Sequence, residues 1–157
     1  MRTKRILIVE DDLTLVHSIV FTLKRHGFAV TITSSARQAF KAITTQQGTQ
    51  GTDLMITDIQ LPDMTGRELI DELVKRDSLP PTIVITAYAS KELFEELRRK
   101  GVRECLPRPF DIRELIKRVT ALLGGGTGNQ DELAKDVRPE SVIRHLDPIF
   151  CFKKGGQ

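Results

Sequence analysis

Short aliphatic and β-branched runs alternate along this chain with longer stretches in which apolar residues return every three or four positions. Ile6-Leu7-Ile8-Val9 is an unbroken apolar run of strand length, the pattern of a strand buried on both faces. Leu13, Val16, Ile19, Val20 and Leu23 then recur at helical spacing, and Gly27 ends that helix. Phe28 to Thr33 predicts a second strand, and Ala36 to Thr45 a second helix with Ala39, Phe40 and Ile43 inward. The polar, glycine-containing stretch 46–52 reads as a loop. Leu54 to Thr57 is the third strand, and Arg67 to Arg76 the third helix, with Leu69, Ile70, Leu73 and Val74 apolar. Pro80-Pro81 punctuates before a fourth strand, Thr82 to Thr86. Ser90 is placed to cap a helix carrying Leu93, Phe94 and Leu97, which stops at Gly101. Val102 to Leu106 predicts a fifth strand. Asp111 then caps a last helix with Ile112, Leu115, Ile116, Val119 and Leu122 on its apolar face.

Strand–helix alternation on this scale implies an α/β fold with a parallel sheet and helices on both faces. Right-handed crossovers limit the topology, and a flavodoxin-like doubly wound five-stranded sheet of order 2-1-3-4-5 is expected. Such sheets bind ligands outside the carboxyl ends of the strands, at the switch point between strands one and three. Acidic residues stand at those two ends: Glu10-Asp11-Asp12 after the first strand and Asp58 after the third.

Gly124-Gly125-Gly126-Thr127-Gly128 reads as a flexible linker. It lacks the Gly-Lys-Ser/Thr ending of a phosphate-binding loop. The expected division is a folded domain over 1–123, the linker at 124–128 and a short tail at 129–157. Ile143, Leu146, Ile149, Phe150 and Phe152 are too few to core a domain in that tail. The tail either docks or stays loose, and partial docking through Phe150 and Phe152 is expected.

Composition narrows the class further. With 39% hydrophobic and 29% charged residues, the chain has the make-up of a soluble globular protein. The net charge of +3 is modest and the basic residues are dispersed, a weak footprint for nucleic acid. Cys105 and Cys151 form no metal-ligand pattern and are read as free thiols of a cytoplasmic protein. After the basic start Met1-Arg2-Thr3-Lys4-Arg5, only four apolar residues precede three acids, too few for a signal peptide or a membrane span.

A carboxylate at the end of a buried strand is costly unless it has a chemical task or a cation to meet. Two carboxylates about 4 Å apart repel by roughly 4 kcal/mol at an effective dielectric of 20. A bridging cation relieves that repulsion, and oxygen-only donors favour magnesium, with calcium and manganese as further candidates. Asp12, and Glu10 with it, can instead serve as helix caps; Asp11 and Asp58 are harder to explain that way. Thr86, followed by the small Ala87, offers a hydroxyl at the fourth strand's end, and Arg108 in Leu106-Pro107-Arg108-Pro109-Phe110 adds positive charge. Pro109 raises the chance of a cis peptide beside Arg108. An acid, a cation, a hydroxyl and a basic group around one Asp compose a phosphoryl-transfer site with Asp58 as nucleophile.

Over about residues 3–123 the chain resembles the receiver domain of bacterial two-component response regulators. The resemblance is carried by Ile6-Leu7-Ile8-Val9-Glu10-Asp11-Asp12, by Asp58 with Pro62 and Gly66 after it, by Ile85-Thr86-Ala87 and by Pro109-Phe110. It implies that Asp58 accepts a phosphoryl group from a histidine kinase or phosphotransfer protein. It implies that Asp11, Asp58 and the backbone carbonyl of Gln60 bind Mg2+, with Glu10 assisting through water. Thr86, Ala87 and Arg108 would contact the phosphoryl group. Thr86 would reshape the face of helix four, strand five and helix five, where a downstream protein or a second copy of the chain docks. Two positions depart from the pattern: Arg108 stands where the family has lysine, and Cys105 where it has a switch aromatic.

An alternative is a pseudo-receiver, an interaction module in which Arg108 pairs with Asp58 and phosphorylation is absent or dispensable. A haloacid-dehalogenase phosphatase needs a second Asp where Gln60 stands, and a flavodoxin's phosphate would be repelled by Glu10-Asp11-Asp12. No conventional enzyme is expected, only magnesium-dependent self-phosphorylation from a phosphohistidine donor and slow self-dephosphorylation. DNA contact is expected only with an additional output domain, and no membrane partner is expected.

Overall fold

The aliphatic runs become the strands of one sheet. In a computed structural model, which describes residues 3–45 and 51–124, strands β1 (Arg5–Val9), β2 (Ala29–Thr33), β3 (Leu54–Asp58), β4 (Thr82–Thr86) and β5 (Glu104–Pro107) alternate with five helices. These are α1 (Leu13–Arg25), α2 (Ala36–Thr45), α3 (Gly66–Lys75), α4 (Lys91–Arg99) and α5 (Ile112–Leu123). The expected linker beyond Gly124, the tail with Phe150, Cys151 and Phe152, and most of the loop 46–52 lie outside the described residues. All pairings are parallel, in the order β2-β1-β3-β4-β5, the doubly wound topology predicted from the alternation of strands and helices.

The pleat divides each strand between two cores, because successive side chains leave opposite faces of the sheet. Ile6, Ile8, Ile56, Ile83, Ile85 and Leu106 meet α1 and α5 through Val16, Ile19, Leu115 and Val119. Leu7, Val9, Met55, Val84 and Cys105 face α2, α3 and α4 through Ala39, Leu69, Leu73 and Leu97. Both faces of β3 and β4 are therefore covered, whereas β2 is an edge strand and leaves Ile32 49% exposed.

Caps set the helix boundaries. Asp12 accepts from the Thr14 and Leu15 amides, Ser90 from Leu93 and Asp111 from Arg113, each satisfying donors that the first turn leaves without partners. β5 begins two residues later than the apolar run suggests. Val102 is spent closing α4, its amide donating to Leu97 O, and Gly101 supplies the φ of +104° that this closure needs. Leu13 and Val74 share the helical apolar spacing but lie at 70% and 42% exposure. The described residues include no helix long and apolar enough to cross a membrane.

Candidate functional site

The parallel register brings four polar strand ends together. Val9 pairs with Thr57, Asp58 with Ile85 and Thr86 with Pro107, so Glu10, Asp58, Thr86 and Arg108 emerge at the same edge of the sheet. The Arg108 amide also donates to Thr86 O at 2.8 Å, fastening the turn after β5 to β4. The Arg108–Pro109 peptide is cis, the geometry that the sequence made plausible.

One Arg108 nitrogen, Nη2, serves two carboxylates: it donates to Glu10 Oε2 and, at 3.0 Å, to Asp58 Oδ2. The second oxygens are held by the backbone. Glu10 Oε1 accepts from the Asp12 amide at 3.0 Å, and Asp58 Oδ1 from the Gln60 amide at 3.1 Å. Glu10 is 1% and Asp58 7% exposed. Burial is the largest influence on Glu10 and raises its carboxyl above the ordinary range; the Asp12 amide and the Arg108 charge oppose the rise, and the charge of Asp58 adds to it. Arg108 Nε is buried without a hydrogen-bond partner, a donor positioned to take an oxygen ligand.

Thr86 is fully buried, and its Oγ accepts from the Tyr88 amide at 3.1 Å. The Tyr88 side chain is exposed, and it belongs to the loop rather than to the cluster. Asp11, Gln60 and Ala87 lie exposed around the cluster. Asp12 is spent as the cap of α1. Cys105 is buried on the face of the sheet against α4, where burial, with a smaller contribution from Glu104, pushes its thiol up to about 12.

The family model of the response regulator receiver domain matches residues 6–120. The chain belongs to this receiver family. It is 33% identical over 134 residues to the sensory transduction protein RegX3 of Mycolicibacterium smegmatis, an alignment covering 83% of this chain and 55% of that protein. The receiver thus spans about half the length of that relative. Among solved structures, a CheY-like receiver domain protein from Methanospirillum hungatei JF-1 superposes with a TM-score of 0.69 at 29% identity, covering 86% of this chain and 99% of that one. The receiver domain of the sensor histidine kinase PA1611 from Pseudomonas aeruginosa, described with a magnesium ion coordinated in its active-site cleft, superposes with a TM-score of 0.67. Its identity is 26%, and the match covers 78% of this chain and 99% of that one.

Receiver domains carry magnesium at their acidic site, and the donors here suit that ion in kind. Among the described residues no three acidic, imidazole or thiol side chains converge as a complete metal cage. The Asp11 and Asp58 carboxylates and the Gln60 carbonyl are oxygen donors, the sparse protein contribution that magnesium takes while keeping waters and phosphoryl oxygens for its other positions.

The structure gives two residues of this receiver site a role that the sequence did not assign. Gly66 fits against the Asp58 peptide, where a Cβ would lie 2.2 Å from Asp58 O. Asp63, in the same loop, accepts from the Ala36 and Arg37 amides at 2.9 Å each and caps α2. Burial opposes its ionisation, but these backbone donors prevail and hold its carboxyl below the ordinary range. An Asp after Pro62 is a visible capping type; its target lies 27 residues earlier and leaves no local signal.

Proposed function

We propose that this receiver accepts a phosphoryl group on Asp58 from the phosphohistidine of a histidine kinase or phosphotransfer protein, and signals through protein contacts in the cytoplasm. The observation that carries the reading is the convergence of Glu10, Asp58, Thr86 and Arg108 at one sheet edge, with Arg108 already on Asp58 Oδ2 at 3.0 Å. In the transfer, an Asp58 oxygen bonds to phosphorus as the P–N bond breaks. The bonding pair leaves with the imidazole, which takes up a proton, and an acyl phosphate remains on Asp58. Arg108 can follow the new charge, since its guanidinium carries further N–H groups and a buried Nε without a partner. Thr86 has its hydroxyl proton free to donate to a phosphoryl oxygen while its Oγ accepts from Tyr88. Asp11, Asp58 and the Gln60 carbonyl would hold magnesium, with Glu10 acting through water, and the ion would supply positive charge to the phosphoryl oxygens.

The downstream contact belongs, in this reading, to the face of α4, β5 and α5, where a partner protein or a second copy of the chain docks. Cys105 in place of an aromatic alters how Thr86 is coupled to that face. The receiver occupies 1–123, with a glycine linker at 124–128 and a tail at 129–157, and DNA contact enters only through a further output domain. The Arg108–Asp58 pair, at 3.0 Å with 10% of the Asp58 side chain exposed, is common to this reading and to a module without phosphotransfer, and phosphorylation of Asp58 distinguishes the two. Incubation with magnesium and acetyl phosphate should add the mass of one phosphoryl group, and Asp58→Asn should abolish the gain. No gain, with acetyl phosphate or with the cognate kinase, would overturn the reading.

A further inference from the structure

The loop between β3 and α3, residues 59–65, is fastened near Gln60 on one side only. The Gln60 amide donates to Asp58 Oδ1 at 3.1 Å, but that amide belongs to the peptide before Gln60. The Gln60 carbonyl belongs to the peptide after it, and rotation about ψ of Gln60 turns the carbonyl without disturbing the bond to Asp58. Downstream, Pro62 has a locked φ and restricts Leu61, which makes a stiff link of Leu61 to Asp63. Asp63 ends that link on a different element: its Oδ1 accepts from the Ala36 amide and its Oδ2 from the Arg37 amide, each at 2.9 Å. The loop's bonds at its far end are local, Gly66 N to Ile59 O and Glu68 N to Thr65 Oγ1. Ala36 and Ala39 are fully buried in the cluster that holds Leu7 and Val9 of β1, so the start of α2 is a firm anchor.

We propose that Asp63 is a positioning residue: by tying the β3–α3 loop to the first turn of α2, it fixes the direction of the Gln60 carbonyl and thereby the affinity of the site for magnesium. The inference deepens the phosphoacceptor reading and rests on it for the choice of Gln60 as a metal donor. Helix α2 has a local cap, since Ser35 Oγ accepts from the Gln38 amide at 3.2 Å. Asp63 takes the two amides before that one, which the helix itself leaves without partners. A carboxylate held by two adjacent amides is fixed in orientation as well as in place. The apolar residues of the loop do not supply that direction: Ile59, Leu61 and Met64 are partly buried against the same core, and apolar packing is non-directional. The Arg37 side chain, 80% exposed and 3.9 Å from Asp63, adds little. Magnesium demands near-octahedral geometry at short range, so a carbonyl that is free to turn is a poorer donor for it.

Ser35→Ala separates positioning from helix capping, because it removes a cap from the same helix without touching the loop. Magnesium, and manganese followed by its paramagnetic signal, are titrated into unphosphorylated wild type, Asp63→Ala, Asp63→Asn and Ser35→Ala, and each protein is melted without metal. Asp63→Ala and Ser35→Ala should both melt below wild type. Only Asp63→Ala should lose metal affinity, by about tenfold, the lower end of what groups supporting a metal ligand carry. Asp63→Asn keeps one acceptor oxygen for the two amides and should fall between Asp63→Ala and wild type. Metal binding by Asp63→Ala that is no weaker than by Ser35→Ala overturns the proposal. Should Asp63→Ala not fold, Asp63→Asn decides by the same comparison. Phosphorylation of wild-type Asp58 alongside unchanged metal affinity in the Asp63 variants would reject the tether and leave the proposed function standing. Weaker metal binding in those variants with no phosphorylation of the wild type would do the reverse.

Discussion

Replacing Gly66 by alanine sets a methyl group against the peptide that carries Asp58. The added Cβ would lie 2.2 Å from Asp58 O, 3.0 Å from Ile59 Cα and 3.1 Å from the Asp58 carbonyl carbon. All three are backbone atoms, so no side chain can swing aside. The Gly66 amide also donates to Ile59 O at 2.7 Å, which draws the start of α3 onto the end of β3. Restoring a tolerable C···O distance requires the two segments to part by roughly 1 Å. Forced packing of this kind costs about 1–3 kcal/mol, and alanine's better helix propensity returns at most ~1 kcal/mol of it. A net loss of about 1–2 kcal/mol lowers the melting temperature of a domain this size by roughly 4–8 °C.

The displacement acts on the acceptor itself. A shift near 1 Å in a reacting group can cost on the order of a hundredfold, so phosphorylation of Gly66→Ala by acetyl phosphate should slow by about tenfold to a hundredfold. Gly51 provides the control, because nothing lies within 4 Å of a Cβ built there. Gly51→Ala should stay within about 0.5 kcal/mol of wild type and phosphorylate normally. Thermal melts and intact-mass time courses on the three proteins make the comparison. A Gly66→Ala protein that melts and phosphorylates as Gly51→Ala does would refute the packing argument.

Glu104→Gln should cost roughly 2 kcal/mol in urea unfolding at unchanged m-value, whereas Glu114→Gln costs under about 0.5 kcal/mol. Arg118 is 3% exposed with an Nε that has no partner, and it lies 2.8 Å from Glu104 but 3.8 Å from Glu114; equal losses would contradict this assignment. Cys105, in a Cys151→Ser background, should resist thiol reagents at pH 8 in the folded protein and react at once in urea. Burial raises the folded thiol from 9 to about 12, so its contribution to stability is intact below about pH 9 and is lost as pH rises towards 12. Reaction in the folded protein at the rate of a free thiol would refute this.

The fold was legible because its signals are periodic and local. Unbroken runs such as Ile6 to Val9 and Thr82 to Thr86 declare strands covered on both faces, and α1 and α5 show their apolar stripes within a dozen residues. What the period could not tell was where an element stops serving as itself. Val102 belongs to the apolar run of β5 by type, but its amide closes α4. Leu13 and Val74 fit the helical spacing and still face solvent, because one aliphatic residue in period does not distinguish the margin of a buried stripe from its centre.

At the site, charge was legible, and of the partnerships only the pairing of Arg108 with Asp58, which the sequence raised as an alternative reading. A carboxylate ending a buried strand is anomalous in sequence alone, which is how Glu10 and Asp58 stand out. Their mates depend on three-dimensional closure over long separations: Arg108 lies 98 residues from Glu10 and 50 from Asp58. Strand order narrows those choices, since β1, β3 and β4 are neighbours, and Arg108 follows the strand next to β4. It does not reveal that one nitrogen would bridge both acids, because that depends on side-chain reach and on which carboxylate oxygens the backbone has already taken. The Asp12 and Gln60 amides claim one oxygen of each acid and thereby direct the other oxygen of each to Arg108. Two local turns, each closed by an acid accepting an amide two residues on, therefore determine where the distant cation sits.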